Sequence, residues 1–271
     1  MLIDRDDGLP LDEVGAWAEE KHETLRKYLT ISSAARRKYI PPIGEGGASY
    51  IDLYCSCGKS FVRGTSQTVI DGSALVAFKT ARQSNSPFTE IHLGDLDPER
   101  SAAAATRIRD LGGSAKNYVG PADQTVQSVV YAVNPYGLHF AFLDPYSLQA
   151  LPFSVIERLS ELKRIDILIH VSAQDLQRNL GLYIAEGDGR LETFMPGWRD
   201  HIDVRQAQSA LRAQLFDYWL GKIKRLGMKP ARGVQLITGG KNQRLYWLVF
   251  ISQSDFANRL WEEIGNPHGL I

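Results

Sequence analysis

The chain has 271 residues, 44% of them hydrophobic, with 31 Lys+Arg balanced by 31 Asp+Glu; that is enough apolar mass for one large α/β domain or two small ones, and no net field draws it to polyanions or an anionic membrane. No apolar run reaches the roughly 20 residues that cross a bilayer, and the acidic start does not read as a signal peptide. Cys55 and Cys57 stand one residue apart, too close for an ordinary structural disulfide and without nearby His or Cys partners for a metal, so the expectation is a reduced, cytoplasmic protein with no metal site.

Residues 1–10 are acidic and read as loose. From Leu11 to Leu29 apolar residues recur at helical spacing, through Val14, Trp17, Ala18 and Leu25. Ser32 is placed to cap a further short helix through Arg36, Arg37 and Lys38, which Pro41-Pro42 and the glycines at 44, 46 and 47 then break. Residues 1–47 therefore read as a helical leader, with its basic cluster as a solvated face, ahead of a core domain over 48–271.

A strand is expected over 49–55, then a long loop holding Lys59, Arg63 and Gly64. Asp71-Gly72-Ser73 looks like a helix start, and Glu90–Asp95 a second strand. Asp97-Pro98-Glu99 opens a helix by rule: an Asp cap, Pro at the first helical position and an acid in the first turn. Gly112-Gly113 ends it. A third strand fits Ala115–Val119, a helix Gln124–Ala132, and a fourth strand Leu138–Leu143, closed by Asp144-Pro145-Tyr146. A helix over 152–162 leads to a fifth strand, Ile165–Val171. Runs this apolar belong to strands buried on both faces of a parallel sheet.

Residues 172–204 lack periodicity and read as an insertion with its own short helices. A long helix is expected from about 205 to 226. Val234–Thr238 and Leu245–Ile251, joined by Gly239-Gly240-Lys241-Asn242, must be antiparallel neighbours. The expected architecture is a Rossmann-like, doubly wound α/β fold: a mostly parallel seven-stranded sheet with a C-terminal antiparallel hairpin. That ending is usual for the S-adenosylmethionine methyltransferase fold.

In such a sheet, ligands lie beyond the carboxyl ends of the strands, where the strand order reverses. Four acids fall at those ends. Asp52 is followed by Tyr54, Ser56 and Gly58, at offsets some of which methyltransferases commonly fill with glycine against the methionine part of the cofactor; here only the last is glycine, and Ser56 is the departure. Asp97 is engaged as a helix cap, which frees Asp95 to accept the two ribose hydroxyls. Asp123 stands where an adenine amino group would find an acceptor. Asp144, Pro145 and Tyr146 form a turn related to the one with which amino-directed nucleic-acid methyltransferases hold a flipped base, although one proline stands here instead of two. His170 reads as a satisfied core residue, while Lys21 and His22 on the leader helix are within reach of the pocket. The sequence shows no Walker-type phosphate loop, serine elbow or His-Glu metalloprotease helix.

Several segments together resemble the three-Cys-motif partner proteins, a bacterial family. They are Trp17, Lys21, Leu25 and Tyr28 in the leader, then Tyr50-Ile-Asp-Leu-Tyr54, Asp71-Gly-Ser73, the Asp95 strand end and Phe142-Leu-Asp-Pro-Tyr146. The resemblance implies a methyltransferase-like domain working with a partner that carries a three-cysteine motif like those of radical S-adenosylmethionine proteins. Those cysteines belong to the partner, so Cys55 and Cys57 are not credited with the motif. Where the family shows Gly-x-Gly after the first acid, this chain has Ser56-Cys57-Gly58. Two readings follow: an S-adenosylmethionine-dependent methyltransferase acting on a nucleic acid or nucleobase, or a partner subunit or nucleic-acid-binding module that keeps the fold without turnover.

Overall fold

A computed structural model describes residues 2–15, 17–64, 68–185, 188–232, 234–238 and 244–265. In chain order the elements are β1 (Leu2–Ile3), β2 (Pro10–Val14), α1 (Trp17–Ile31), α2 (Ser33–Arg37), β3 (Ala48–Asp52), β4 (Lys59–Val62), β5 (Val69–Asp71), α3 (Ser73–Gln83), β6 (Glu90–Asp95), α4 (Pro98–Asp110), β7 (Ala115–Val119), α5 (Ala122–Ala132), β8 (Leu138–Leu143), α6 (Phe153–Ser160) and β9 (Ile165–Val171). Then come α7 (Ala173–Tyr183), α8 (Arg190–Phe194), a 3-10 turn (Trp198–Asp200), α9 (Gln208–Arg225), β10 (Lys229–Pro230), β11 (Gln235–Thr238), β12 (Arg244–Ser252) and α10 (Asp255–Gly265). The residues of the expected hairpin turn, 239–242, lie outside the described residues.

The large sheet runs β7-β6-β3-β8-β9-β12, with β11 and the short β10 both along the far edge of β12. β3, β6, β7, β8 and β9 are mutually parallel, and β12 returns antiparallel to β9, Trp247 opposite Val171 and Ser252 opposite Asp166. This is the expected doubly wound sheet with its antiparallel ending. Because successive side chains point to opposite faces, neighbours on one strand enter different cores. Tyr50, Phe140, Phe142, Leu168 and Phe250 join α1, α3, α4 and α10; Ile51, Ala141, Leu143, Ile169 and Val249 join α5, α6, α7 and α9. Both faces are covered, which explains strands that read as unbroken apolar runs.

The local signals at α4 act as read. Asp97 Oδ1 accepts the Glu99 N–H at 2.9 Å, and the chain leaves the helix through Gly112 at φ +80. Ser172 caps α7, its Oγ accepting the Asp175 N–H at 3.1 Å. No helix among the described residues is long and apolar enough to cross a membrane.

The start of the chain departs from expectation. The sequence pattern leaves residues 1–10 loose and starts helical spacing at Leu11; instead β1 and β2 join β4 and β5 in a separate four-stranded sheet, with β2 parallel to β4. The Trp17 ring occupies the space where a side chain at position 15 would stand, so only glycine fits immediately ahead of α1. The arm is held by a buried guanidinium. Arg107 Nε and Nη2 donate to the two carboxylate oxygens of Asp7 at 2.8 and 2.9 Å, and Nη1 donates to the carbonyls of Pro10 and Cys57. That fork holds the Asp7 carboxyl well below the usual carboxylate range. Asp7→Asn should therefore destabilise the protein by about 2 kcal/mol. Urea unfolding measures the loss, and trypsin should cut faster at Arg5; an unchanged cleavage rate would refute this account of the arm.

The basic leader cluster also divides. Arg37 and Lys38 are exposed, but Arg36 is buried and hydrogen-bonded to backbone.

Candidate functional site

β3 lies between β6 and β8; the connections leaving β3 and β6 lead to α3 and α4 on one face of the sheet, whereas that leaving β8 leads to α6 on the other. That is where doubly wound sheets open a ligand crevice. A cavity of about 640 Å3 occupies this position, within the 300–1,000 Å3 typical of small-molecule sites. Its wall takes residues from chain segments far apart in sequence. Tyr54, Ser56 and Gly58 come from the turn after β3, Asp95 and Asp97 from the end of β6, and Asp123 from the first turn of α5. Asp144 and Tyr146 enter from the turn after β8, and Lys21 and His22 from α1.

The turn after β3 keeps a glycine-like path without the expected glycine. Ser56 has φ +49 and Gly58 φ +80. A Cβ at 58 would also stand 3.1 Å from the Ala104 Cα, a tight approach, so both the backbone angle and the space favour glycine there. Ser56 sits in the left-handed region that non-glycine residues avoid, and it is restrained on both sides. Its N–H donates to Asp95 Oδ2 at 3.1 Å and its Oγ donates to Asp12 Oδ2 at 2.7 Å. Asp12 belongs to the arm strand β2, so the small sheet is part of the site's wall.

Asp95 stands half-buried at the rim. Its second oxygen accepts the Asp97 N–H at 3.0 Å. Each carboxylate oxygen thus has one backbone donor and a lone pair left for a ligand. Burial pushes its pKa up. Asp123 is exposed on the same wall.

Asp52 is placed differently from the other acids. It is fully buried beneath the cavity and does not line it. Oδ2 accepts the hydroxyls of Ser73 at 2.5 Å and Tyr50 at 3.1 Å, and Oδ1 accepts the Tyr54 N–H at 3.2 Å. Burial without a cation pushes its pKa up to about 7. Expected as a cofactor ligand, Asp52 is instead the anchor that ties β3, its turn and the start of α3 together. Tyr54 extends that scaffold by donating its hydroxyl to the Ala150 carbonyl at 2.6 Å. Pro145 is likewise buried and off the cavity wall.

Asp144 does not stand free. Lys21 from α1 contacts its Oδ2, and His170 Nδ1, at the end of β9, lies 2.7 Å from its Oδ1. Burial alone would raise this carboxyl, but Lys21 first, and then the adjacent His170, hold it well below the usual range. His170 is therefore more than a core filler: it touches Asp144 on one side and packs edge-on against Tyr246 at 4.3 Å on the other. His22 is pushed down to about 3 by burial, then by Lys21, and is neutral at physiological pH. Tyr146 is 82% exposed at the rim.

Among the described residues no cluster of His, Cys, Asp or Glu could hold a metal. The two cysteines are buried and free, with Cys55 on the cavity wall. Two contributors gave no signal in the sequence. Asp12 lay in a segment read as helix, and Arg100, which reaches Asp12 at 3.4 Å and Asp97 at 3.7 Å, looked like any solvated helix residue.

The donors and acceptors suit an adenosine carrying an amino-acid tail. Acids for hydroxyl and amino groups are on the wall, Lys21 and Arg100 are cations among them, and the starts of α3 and α5 add a favourable field for an anion.

No family model matches the sequence, and no curated protein matches it. Among solved structures, protein LPL1258 from Legionella pneumophila is 8% identical over 91% of this chain and 93% of its own, with a TM-score of 0.48. Cofactor-bound Rv0187 from MTB is 13% identical over 91% of this chain and 84% of its own, TM-score 0.48. The plantazolicin methyltransferase BamL, solved with SAH, is 14% identical over 88% of each chain, TM-score 0.38. These likenesses are distant; the strand order and directions described above identify the chain's fold as methyltransferase-like, an α/β sheet of this kind with a reversed final pair.

Proposed function

We propose that this chain is an S-adenosylmethionine-dependent methyltransferase. The observation that supports the reading most is convergence: the turn after β3 and the acids following β6, β7 and β8 line one cavity at the point where the sheet order reverses. When bound, S-adenosylmethionine would supply an electrophilic methyl group. Asp95 would accept the ribose hydroxyls, Asp123 the adenine amino group, and the backbone from Ser56 to Gly58 would lie along the methionine part. Asp144 and Tyr146 would face the acceptor, the carboxylate holding an amino group and the exposed ring stacking on a flat partner. A nucleobase, free or in a nucleic acid, has that chemistry. Catalysis would come mostly from positioning. The resemblance to three-Cys-motif partner proteins adds the expectation that a protein with such a motif works alongside.

Calorimetric titration with S-adenosylmethionine and its demethylated product tests the cofactor assignment. Loss of a hydrogen-bonding charged acceptor should make Asp95→Ala bind about 10- to 100-fold more weakly. Transfer of labelled methyl to nucleic acid then tests the acceptor.

A second reading, a partner subunit that keeps the fold without turnover, draws on one observation: Lys21 already engages the Asp144 carboxylate that would hold an acceptor. Absence of binding heat at about 1 mM cofactor would favour it.

A further inference from the structure

A second cavity, of about 310 Å3, lies at the amino ends of β8 and β9, enclosed by α1, α2 and α10. Its wall contains a buried cation and a half-buried acid that do not meet. Arg36, 2% exposed, donates only to neutral acceptors: the Ser86 carbonyl at 2.7 Å, the Ser86 hydroxyl at 2.7 Å and the Leu29 carbonyl at 3.0 Å. Its Nη1 has just a long 3.4 Å contact with Ser32 Oγ, itself on the cavity wall. Asp166 accepts the Tyr28 hydroxyl at 2.7 Å and a hydrogen bond from Ser252. Among the described residues neither has an ion-pair partner. Burial accordingly lowers the Arg36 pKa to about 10 and raises that of Asp166. A charge taken from water without a counter-ion is costly, and here the buried Arg36 and the half-buried Asp166 border the same space, while the other cations on its wall are exposed. Apolar side chains, among them Leu29 and Phe140, form part of the remaining lining, with His139, Ser252 and the exposed cations Lys38, Lys163 and Arg164 also on the wall.

We propose that this cavity binds a small zwitterion, an α-amino acid with an apolar side chain. Its ammonium would pair with Asp166, its carboxylate with Arg36, and its side chain would lie against Leu29 and Phe140. At about 30 Å3 per water the space holds on the order of ten waters, which suits a ligand of about that many heavy atoms. The site would sit under the helix that also holds Asp144: Ala18, Lys21 and His22 of α1 line the large cavity, while Tyr28, Leu29 and Ser32 line this one.

Calorimetry on the full chain with L-leucine and L-phenylalanine tests the proposal, with isovalerate and isoamylamine as probes bearing one charge each. The amino acids should bind about 10-fold or more tightly than either single-charge probe. Asp166→Asn should bring leucine down to the affinity of isovalerate. Ala35→Trp, which fills the cavity from the half-buried face of α2, should remove binding while circular dichroism stays unchanged, and it carries the assignment should Asp166→Asn fail to fold. No saturable heat at about 10 mM amino acid, equal affinity for the single-charge probes, or full affinity in Asp166→Asn would each overturn it. The readout is binding alone, so it does not depend on methyl transfer.

Discussion

Lys21→Met should lower the unfolding free energy by about 3–5 kcal/mol at neutral pH. Lys21 and Asp144 are both largely buried, with side chains 10% and 19% exposed. Removing the lysine leaves the carboxylate in a site where burial favours its neutral form, with His170 as its remaining neighbour. The pH dependence follows from the sign of the shift. The folded carboxyl titrates below its unfolded value, so its contribution is fully present above about pH 4 and is lost as pH falls through the folded value. The gap between parent and Lys21→Met should be widest near neutrality and should close in acid. Urea unfolding across pH measures it. A gap independent of pH would show that the lysine acts through its aliphatic stem and not its charge.

Asp52→Asn should do the reverse and stabilise the protein at high pH. With a folded pKa of about 7 against 3.8 in the unfolded chain, Asp52 keeps a proton between these values that the unfolded chain has released. Stability therefore falls as pH rises through that window, by up to about 4 kcal/mol at 1.36 kcal/mol per pKa unit. Asparagine is neutral throughout and similar in shape. The variant should approach or exceed the parent in stability at pH 8 and lose the decline between about pH 4 and 7. Parallel stability profiles for the two proteins would mean that Asp52 is ionised in the fold and that the Ser73 and Tyr50 hydroxyls suffice to hold it so.

These two acids show where reading the chain alone runs out. Both stand at strand ends in similar local sequence, an apolar run closing on Asp. One is sealed under the floor with hydroxyls for partners; the other meets a lysine 123 residues away in the chain. Local pattern cannot separate them, because their titration depends on what comes from elsewhere. The same holds for the arm, where Asp7 and Arg107 are 100 residues apart, and for Tyr28 and Asp166, separated by 138.

What the amino-acid order does settle is whatever short-range physics governs. The apolar runs Leu138–Leu143 and Ile165–Val171, the Asp97-Pro98-Glu99 start of α4 and the closing antiparallel pair each carry their own signal, and together they specify the sheet and its helices. The folded molecule settled which acids reach the cavity, that residues 2–14 close its wall through Asp12, and that Lys21 occupies Asp144. The division has one cause. Propensity and capping act within a few residues, whereas a buried charge takes its energy from partners that only folding brings near.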